Sequence, residues 1–293
     1  MADFLQQFVA GLGAGAIYAS LALALVLIYQ FTGIVNFAQG ELAMFATYIA
    51  WTFVNAGMSF WLALVLTLAI SFAGGMLIER VIIRPVEGAP VLTLVIVTVG
   101  LFIFVNAAAG WIWTFLIKDF PNPFPSGAFR AGGVSLGYST LGVLAVVGGV
   151  MGLLYLLFRY TKVGLGMRAV ATNPDSARLV GIRVGWMLAF GWGLAAMVGA
   201  VSGVLVAPLL FLEPNMMGGV LIYAFAAATL GGFDSPLGAV VGGLIVGVAE
   251  TLAGSYVDAI GSDLKIGVPL AIILGVLLLR PQGLFGRAAV ERA

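Results

Sequence analysis

Long stretches of this chain carry no charged side chain at all. Residues 62–72, 91–105 and 141–158 are uncharged throughout, and apolar flanks lengthen each of them. A helix needs about 20 mostly apolar residues to cross the hydrocarbon core of a bilayer. Hydrophobic residues make up 62% of the sequence and charged ones 9%, against about half and about a quarter in a soluble domain. In hydrocarbon every backbone N–H and C=O must be satisfied internally, which selects helices here. The expected fold is therefore all-α, a polytopic membrane helix bundle forming one domain over residues 1–293. About nine spans are expected, at 8–29, 38–56, 60–78, 90–113, 139–158, 184–207, 218–232, 238–254 and 264–280. The 38–56 span opens on a polar cluster, and 218–232 is short and rich in small residues. Either can be broken or re-entrant, so eight to ten spans stay open. The start, Met1-Ala-Asp-Phe-Leu-Gln-Gln, has no basic residue. A signal peptide opens with a positive segment, so the first run reads as a retained helix.

Basic residues near span ends favour the cytoplasm. Arg159, Lys162, Arg168, Arg178 and Arg183 cluster around 160–185, Arg80 and Arg84 around 79–90, and Arg280, Arg287 and Arg292 in the tail. These ten of the 13 basic residues fall on one side. Lys118, Arg130 and Lys265 fall on the other, beside Asp119, Asp258 and Asp263. The expected arrangement has the C-terminus inside and the N-terminus outside. One re-entrant segment would reverse the N-terminal side.

Two segments outside the bilayer stand out. The outer one, 115–138, holds Pro121, Pro123 and Pro125 among Phe120, Phe124 and Phe129. Closely spaced Pro makes it stiff and non-helical. Its aromatics suit a partner surface, or equally a cap over the bundle ends. The inner segment, 159–183, carries readable helix signals. Asn173 is a good N-cap, Pro174 fits the first helical position, and Asp175 favours the positive helix end. Gly181 can end the helix in a left-handed conformation. A short helix of about two turns is expected, with Arg168, Arg178 and Leu179 on its flanks and surface. The competing reading is an amphipathic helix resting on lipid headgroups.

Small residues four apart recur at Gly11/Gly15, Gly148/Gly152, Gly199/Gly203, Gly238/Gly242 and Gly243/Gly247, spacings that let helices pack closely. Their density over 231–254 suggests one tight hairpin, with Asp234 or Ser235 capping its second helix. Polar residues at membrane depth are costly and are the candidate pathway residues: Asn36, Gln39, Glu41, Asn106, Thr229 and Glu250. Glu41 reads either as a first-turn charge at the surface or as a pathway lining or gate contact. Glu250 and Asn106 need partners, which an inter-helix hydrogen bond would supply. Thr98 and Thr229 can bond their own helix backbone.

The sequence has no Cys and no His, which removes disulfides and the commonest metal ligand and acid–base residue. Lys118, Lys162 and Lys265 lie outside any phosphate-binding loop, so neither a cofactor nor an enzymatic activity is expected in this chain. A net charge of +1 argues against a nucleic-acid partner. A conduit is the natural reading, energised by a partner or by an ion. An ion-coupled secondary transporter using Glu41 or Glu250 and a structural scaffold are the rivals.

Five segments, in order, resemble the integral-membrane permeases of branched-chain amino-acid ABC importers of the LivH type. They are Thr32-Gly-Ile-Val-Asn-Phe-Ala-Gln-Gly-Glu41, Glu79-Arg-Val-Ile-Ile-Arg-Pro85, residues 164–182, residues 230–250, and Arg280-Pro-Gln-Gly-Leu-Phe-Gly-Arg287. The likeness covers nearly the whole chain. It departs at Gln39, where His is expected, and in the outer segment. The resemblance implies a type II importer-like permease in a prokaryotic inner membrane. It further implies a second homologous permease, two cytoplasmic ATPases that bind ATP and Mg, and a soluble substrate-binding protein. In such importers a short cytoplasmic permease helix docks on the ATPase, a role the resemblance assigns to Asn173 through Gly181. Urea, amides and aromatic acids are alternative cargoes for the same machinery.

Overall fold

The computed structural model describes residues 2–131, 134–258, 260–261 and 264–286. Asp263, Arg287 and Arg292, used above to weigh the two sides, lie outside the described residues. Eleven helices and one small hairpin occur among those described. Nine of these helices fall on the nine expected spans. They are α1 (Ala2–Thr32), α2 (Gln39–Asn55), α3 (Phe60–Ile78), α4 (Val91–Trp113), α5 (Tyr138–Tyr160), α8 (Val184–Leu210), α9 (Met217–Gly231), α10 (Pro236–Tyr256) and α11 (Gly267–Leu279). α1, α3 with its extension, α4, α5, α8 and α10 are long and apolar enough to cross a bilayer. The other three are shorter: α2 has 17 residues, α9 has 15 and α11 has 13. At 1.5 Å per residue they reach about 20–26 Å, less than the hydrocarbon thickness of about 30 Å. Two of them, α2 and α9, are the spans marked as candidate broken helices.

Two regions hold more regular structure than the sequence signals specify. The outer segment has no helix between α4 and α5 among the described residues. It ends in an antiparallel hairpin of β1 (Ala128–Ala131) and β2 (Val134–Gly137), with Phe129 opposite Leu136. The inner segment holds two helices rather than one, α6 (Lys162–Thr172) and α7 (Pro174–Leu179). Gly164 and Gly166 in the first turns disfavour α6 on propensity, but packing requires the first of them and favours the second. A Cβ on Gly164 would run into the backbone of Leu157 and Phe158, and one on Gly166 would stand 3.3 Å from the Met187 sulfur. Thr161 caps α6, its Oγ1 accepting the Gly164 N–H at 3.0 Å.

The chain divides into two compact units. The first takes residues 1–26, 124–144 and 219–293. Here α1 and α10 approach through glycine. A Cβ on Gly11 would lie 2.7 Å from Val248 Cα, and one on Gly15 would lie 2.8 Å from the Gly243 carbonyl. α9 and α10 form the expected tight hairpin, with Gly231 against Gly238 and Gly242 against Ala227. Ser235 caps α10 by accepting the Gly238 N–H at 3.0 Å. The tail returns to this hairpin, Leu284 donating to the Leu230 carbonyl and Phe285 to that of Gly231. Gln6 pairs with both backbone groups of Ser135, fixing β2 to α1.

The second unit takes residues 27–123 and 145–218. Its hub is α8, buried along most of its length and packed on α2 and α3. Gly199 and Gly203 allow that approach: a Cβ on Gly199 would stand 2.5 Å from Gln39 Nε2, and one on Gly203 would stand 2.6 Å from the Ala43 carbonyl. Ala38, Leu101 and Val105 form a core between the start of α2 and α4. By contrast, among the described residues nothing outside the local backbone of α5 lies within 4 Å of a Cβ placed on Gly148 or Gly152.

Candidate functional site

The polar cluster begins where α1 stops. Gly33, at φ +68, turns the chain out of that helix, a conformation glycine adopts without strain. Asn36 then folds back on the backbone, its Oδ1 accepting the Ala38 N–H at 3.1 Å. Its Nδ2 donates to Gln39 Oε1 at 3.2 Å, and Gln39 Nε2 donates to the Ala195 carbonyl of α8 at 3.0 Å. Gln39 thus spends one acceptor and one donor to join the start of α2 to α8. A neutral His also offers one of each. Gln supplies the same pattern without a titrating ring.

Glu41 is 2% exposed, which overturns the reading of a first-turn charge at a wetted surface. Its Oε2 accepts Asn106 Nδ2 of α4 at 3.1 Å. The same amide faces the Pro214 carbonyl at 3.0 Å and Asn215 Oδ1 at 3.3 Å. Glu41 and Asn106 therefore tie α2, α4 and the 211–216 connection together. Nearby backbone is strained: Thr114 and Phe211, at the ends of α4 and α8, have φ of 67° and 63° with ψ of 167° and 157°. That region is essentially reserved for glycine. Beyond them Lys118 and Leu212 exchange both backbone hydrogen bonds, at 2.9 and 3.0 Å.

Asn36 with Gln39, and Glu41 with Asn106, thus form two hydrogen-bonded pairs at the start of α2, both in the second unit. Glu250 and Thr229 belong to the first. Tyr18 donates its hydroxyl to Glu250 Oε2 at 2.9 Å. Tyr223 stacks on the Tyr18 ring at 4.5 Å and also hydrogen-bonds the carboxyl. Thr229 sits near the end of α9, its carbonyl beside Gly283 of the tail. Thr98 bonds its own helix through the Val95 carbonyl, as expected.

The inner segment bears out its local signals. Asn173 Oδ1 accepts the Ser176 N–H at 2.9 Å, Pro174 takes the first helical position, and Gly181 has φ +83. Asp175 and Arg178 pair at 2.9 Å on an open surface. Such exposed pairs contribute at most about 1 kcal/mol. Ala177 is buried, whereas Leu179 is 89% and Val180 75% exposed. Arg168 is exposed on α6, which packs against α7 and α8.

Sequence reasoning missed several residues. Arg84 donates from Nε and Nη2 to Glu79 at 3.2 and 2.8 Å, and from Nη2 to the Gly185 carbonyl at 2.5 Å. Glu79 opens a π-helical turn (Glu79–Ile83) that brings the two side chains onto one face. Two opposite charges ending an apolar run were the available signal. Tyr18 and Tyr223 also escaped notice, although a hydroxyl inside a membrane helix needs a partner.

Residues 7–277 match the family described as the branched-chain amino acid transport system permease component. The chain belongs to this family. Among curated relatives, the permease protein BraD of the high-affinity branched-chain amino acid transport system of Pseudomonas aeruginosa is 31% identical, over 99% of this chain and 98% of its own. LivH of Escherichia coli, from a system of the same description, is 32% identical over 99% and 97%. A probable LivH of Methanocaldococcus jannaschii is 30% identical over 91% and 87%. A solved chain of PsaBC from Streptococcus pneumoniae, in complex with Fab, aligns with a TM-score of 0.50 at 12% identity, over 95% of this chain and 92% of that one. That likeness concerns the fold alone. This permease therefore has the fold and the family that its five sequence segments imply.

Proposed function

We propose that this permease is the membrane subunit of an ATP-driven ABC importer that carries branched-chain or other hydrophobic amino acids across a prokaryotic inner membrane. The observation that carries the coupling half of this reading is α7. It is a capped helix too short to span, and it presents Leu179 and Val180 to solvent. A large apolar side chain in that position gains by burial against a protein partner. In this reading α7 docks on a cytoplasmic ATPase, with Arg168, Asn173, Pro174, Asp175, Arg178 and Gly181 shaping the contact. The 159–183 segment and the C-terminus face the cytoplasm, and 115–138 faces the binding protein outside. A second homologous permease completes the pathway, and ATP and Mg bind in the ATPase subunits. The cargo follows the names of the curated relatives. Glu41, which is buried, and Asn106, which is half-buried and bonded to it, act as a gate contact rather than as an open lining.

Co-purification of the tagged chain from its native membranes in mild detergent, with mass spectrometry of its partners, tests this reading. Recovery of two ATPase subunits and a second permease is expected. Recovery of this chain alone, in a sample that transports under an ion gradient without ATP, would overturn it.

A further inference from the structure

Where α8 begins, a cavity of about 360 Å³ opens between the last turn of α1, the Glu79–Val86 turns and α8. Its volume falls in the range of small-ligand pockets. Phe31, Ile34, Ile83, Leu94 and Leu188 give it an apolar wall. Glu79, Arg84 and Glu87 stand on the same lining. Arg84 spends three N–H groups on Glu79 and Gly185, and its other two are on Nη1. Glu79 is paired and buried, whereas Glu87 is exposed and makes no ion pair among the described residues. Trp192 lines this cavity too. It is 2% exposed, and its Nε1 has no hydrogen-bond partner among the described residues. Its indole face therefore adds to the apolar wall rather than offering a donor to a ligand.

An apolar wall, a guanidinium and an open carboxylate together suit a zwitterion with an apolar side chain. We propose that this cavity binds a free apolar α-amino acid, its carboxylate on Arg84 and its ammonium on Glu87. The site has a regulatory position. Arg84 holds the Gly185 carbonyl, and Gly185 follows α7 by a few residues at the head of α8. A ligand carboxylate competes for that guanidinium, so occupancy bears on the backbone that carries α7. The choice of an apolar amino acid as ligand rests on the proposed function; the layout of charges does not. A phosphatidylethanolamine headgroup carries the same two charges, and the test separates the two sources.

The test uses the full complex in nanodiscs of phosphatidylglycerol alone, without binding protein, and radiolabelled leucine as probe. Saturable leucine binding is expected, weakened about tenfold or more by Glu87→Gln. Leu188→Trp, which fills the cavity and leaves the charges in place, weakens it likewise. Glu87 is exposed, so its variant carries little risk to folding. Absence of saturable binding overturns the inference, as does binding unchanged in both variants. Loss of leucine binding once phosphatidylethanolamine is added assigns the site to lipid and overturns it as well. Uptake by the same preparation, with binding protein and ATP, keeps the two readings apart. Uptake without binding sinks this inference alone, whereas binding without uptake supports the site and contradicts the transport reading.

Discussion

Asn106→Leu is the most informative single change in the polar cluster. Leucine keeps the heavy-atom branching of asparagine and suits a membrane helix, but it is bulkier, so the double variant with Glu41→Leu is needed to separate the lost hydrogen bond from overpacking. What is lost is the Nδ2 group that meets Glu41 Oε2 at 3.1 Å and the Pro214 carbonyl at 3.0 Å. Glu41 is almost fully buried, and water cannot replace the donor. A buried acceptor left without its partner costs about 1–3 kcal/mol, and inter-helix hydrogen bonds in bilayers average about 0.6 kcal/mol. The carboxyl takes the first figure and the carbonyl the second, so the variant should lose about 2–4 kcal/mol. Glu41→Leu removes the stranded carboxyl, so the double variant should recover much of that loss. The assay is a double-mutant cycle on thermal unfolding of the purified complex, read beside uptake. Additive single effects, or a loss under about 0.5 kcal/mol for Asn106→Leu, would refute the claim that this contact ties α2 to α4.

Leu179→Asp should leave the fold within about 0.5 kcal/mol, since the site is exposed, yet abolish ATPase recovery and uptake; normal uptake would count against docking through α7. Gly15→Ala places a Cβ 2.8 Å from the Gly243 carbonyl and 2.9 Å from Leu244 Cα; it should destabilise by about 1–3 kcal/mol, while Gly148→Ala, with open space around it, should leave the isolated chain's melting temperature unchanged or raised. Tyr18→Phe and Glu250→Gln should lower stability by about 1–2 kcal/mol and retain ATP-driven uptake. A folded Glu250→Gln that no longer transports would favour ion coupling. Thr114→Gly should raise stability by about 1 kcal/mol, measured by the same unfolding assay; a fall would show that the backbone at 114 is not strained.

The spans were legible because apolar length is a one-dimensional signal that tertiary context seldom overrides in a bilayer. α7 was legible for a different reason: Asn173, Pro174 and Gly181 act through their own backbone, within a few residues. α6 was not, because Gly164 and Gly166 oppose a helix locally, while the contact that requires Gly164 is with the backbone of residues 157 and 158. The pathway candidates were identifiable as polar residues at depth, but their grouping was not. Glu41 and Asn106 are 65 positions apart, and Tyr18 and Glu250 are 232 apart, distances over which periodicity carries no information. The Arg84–Gly185 hydrogen bond was hidden because its acceptor is a backbone carbonyl, which any residue offers.

In the proposed mechanism, ATP hydrolysis in partner subunits, transmitted through α7, drives an amino acid through this permease. The direct measurement is leucine uptake into proteoliposomes holding the full complex and its binding protein, with ATP supplied on the ATPase side and all ion gradients collapsed by ionophores. Concentrative uptake that stops without ATP hydrolysis and is lost in Leu179→Asp is the expected result. Uptake that survives without ATP, or that requires the ion gradient, would contradict it.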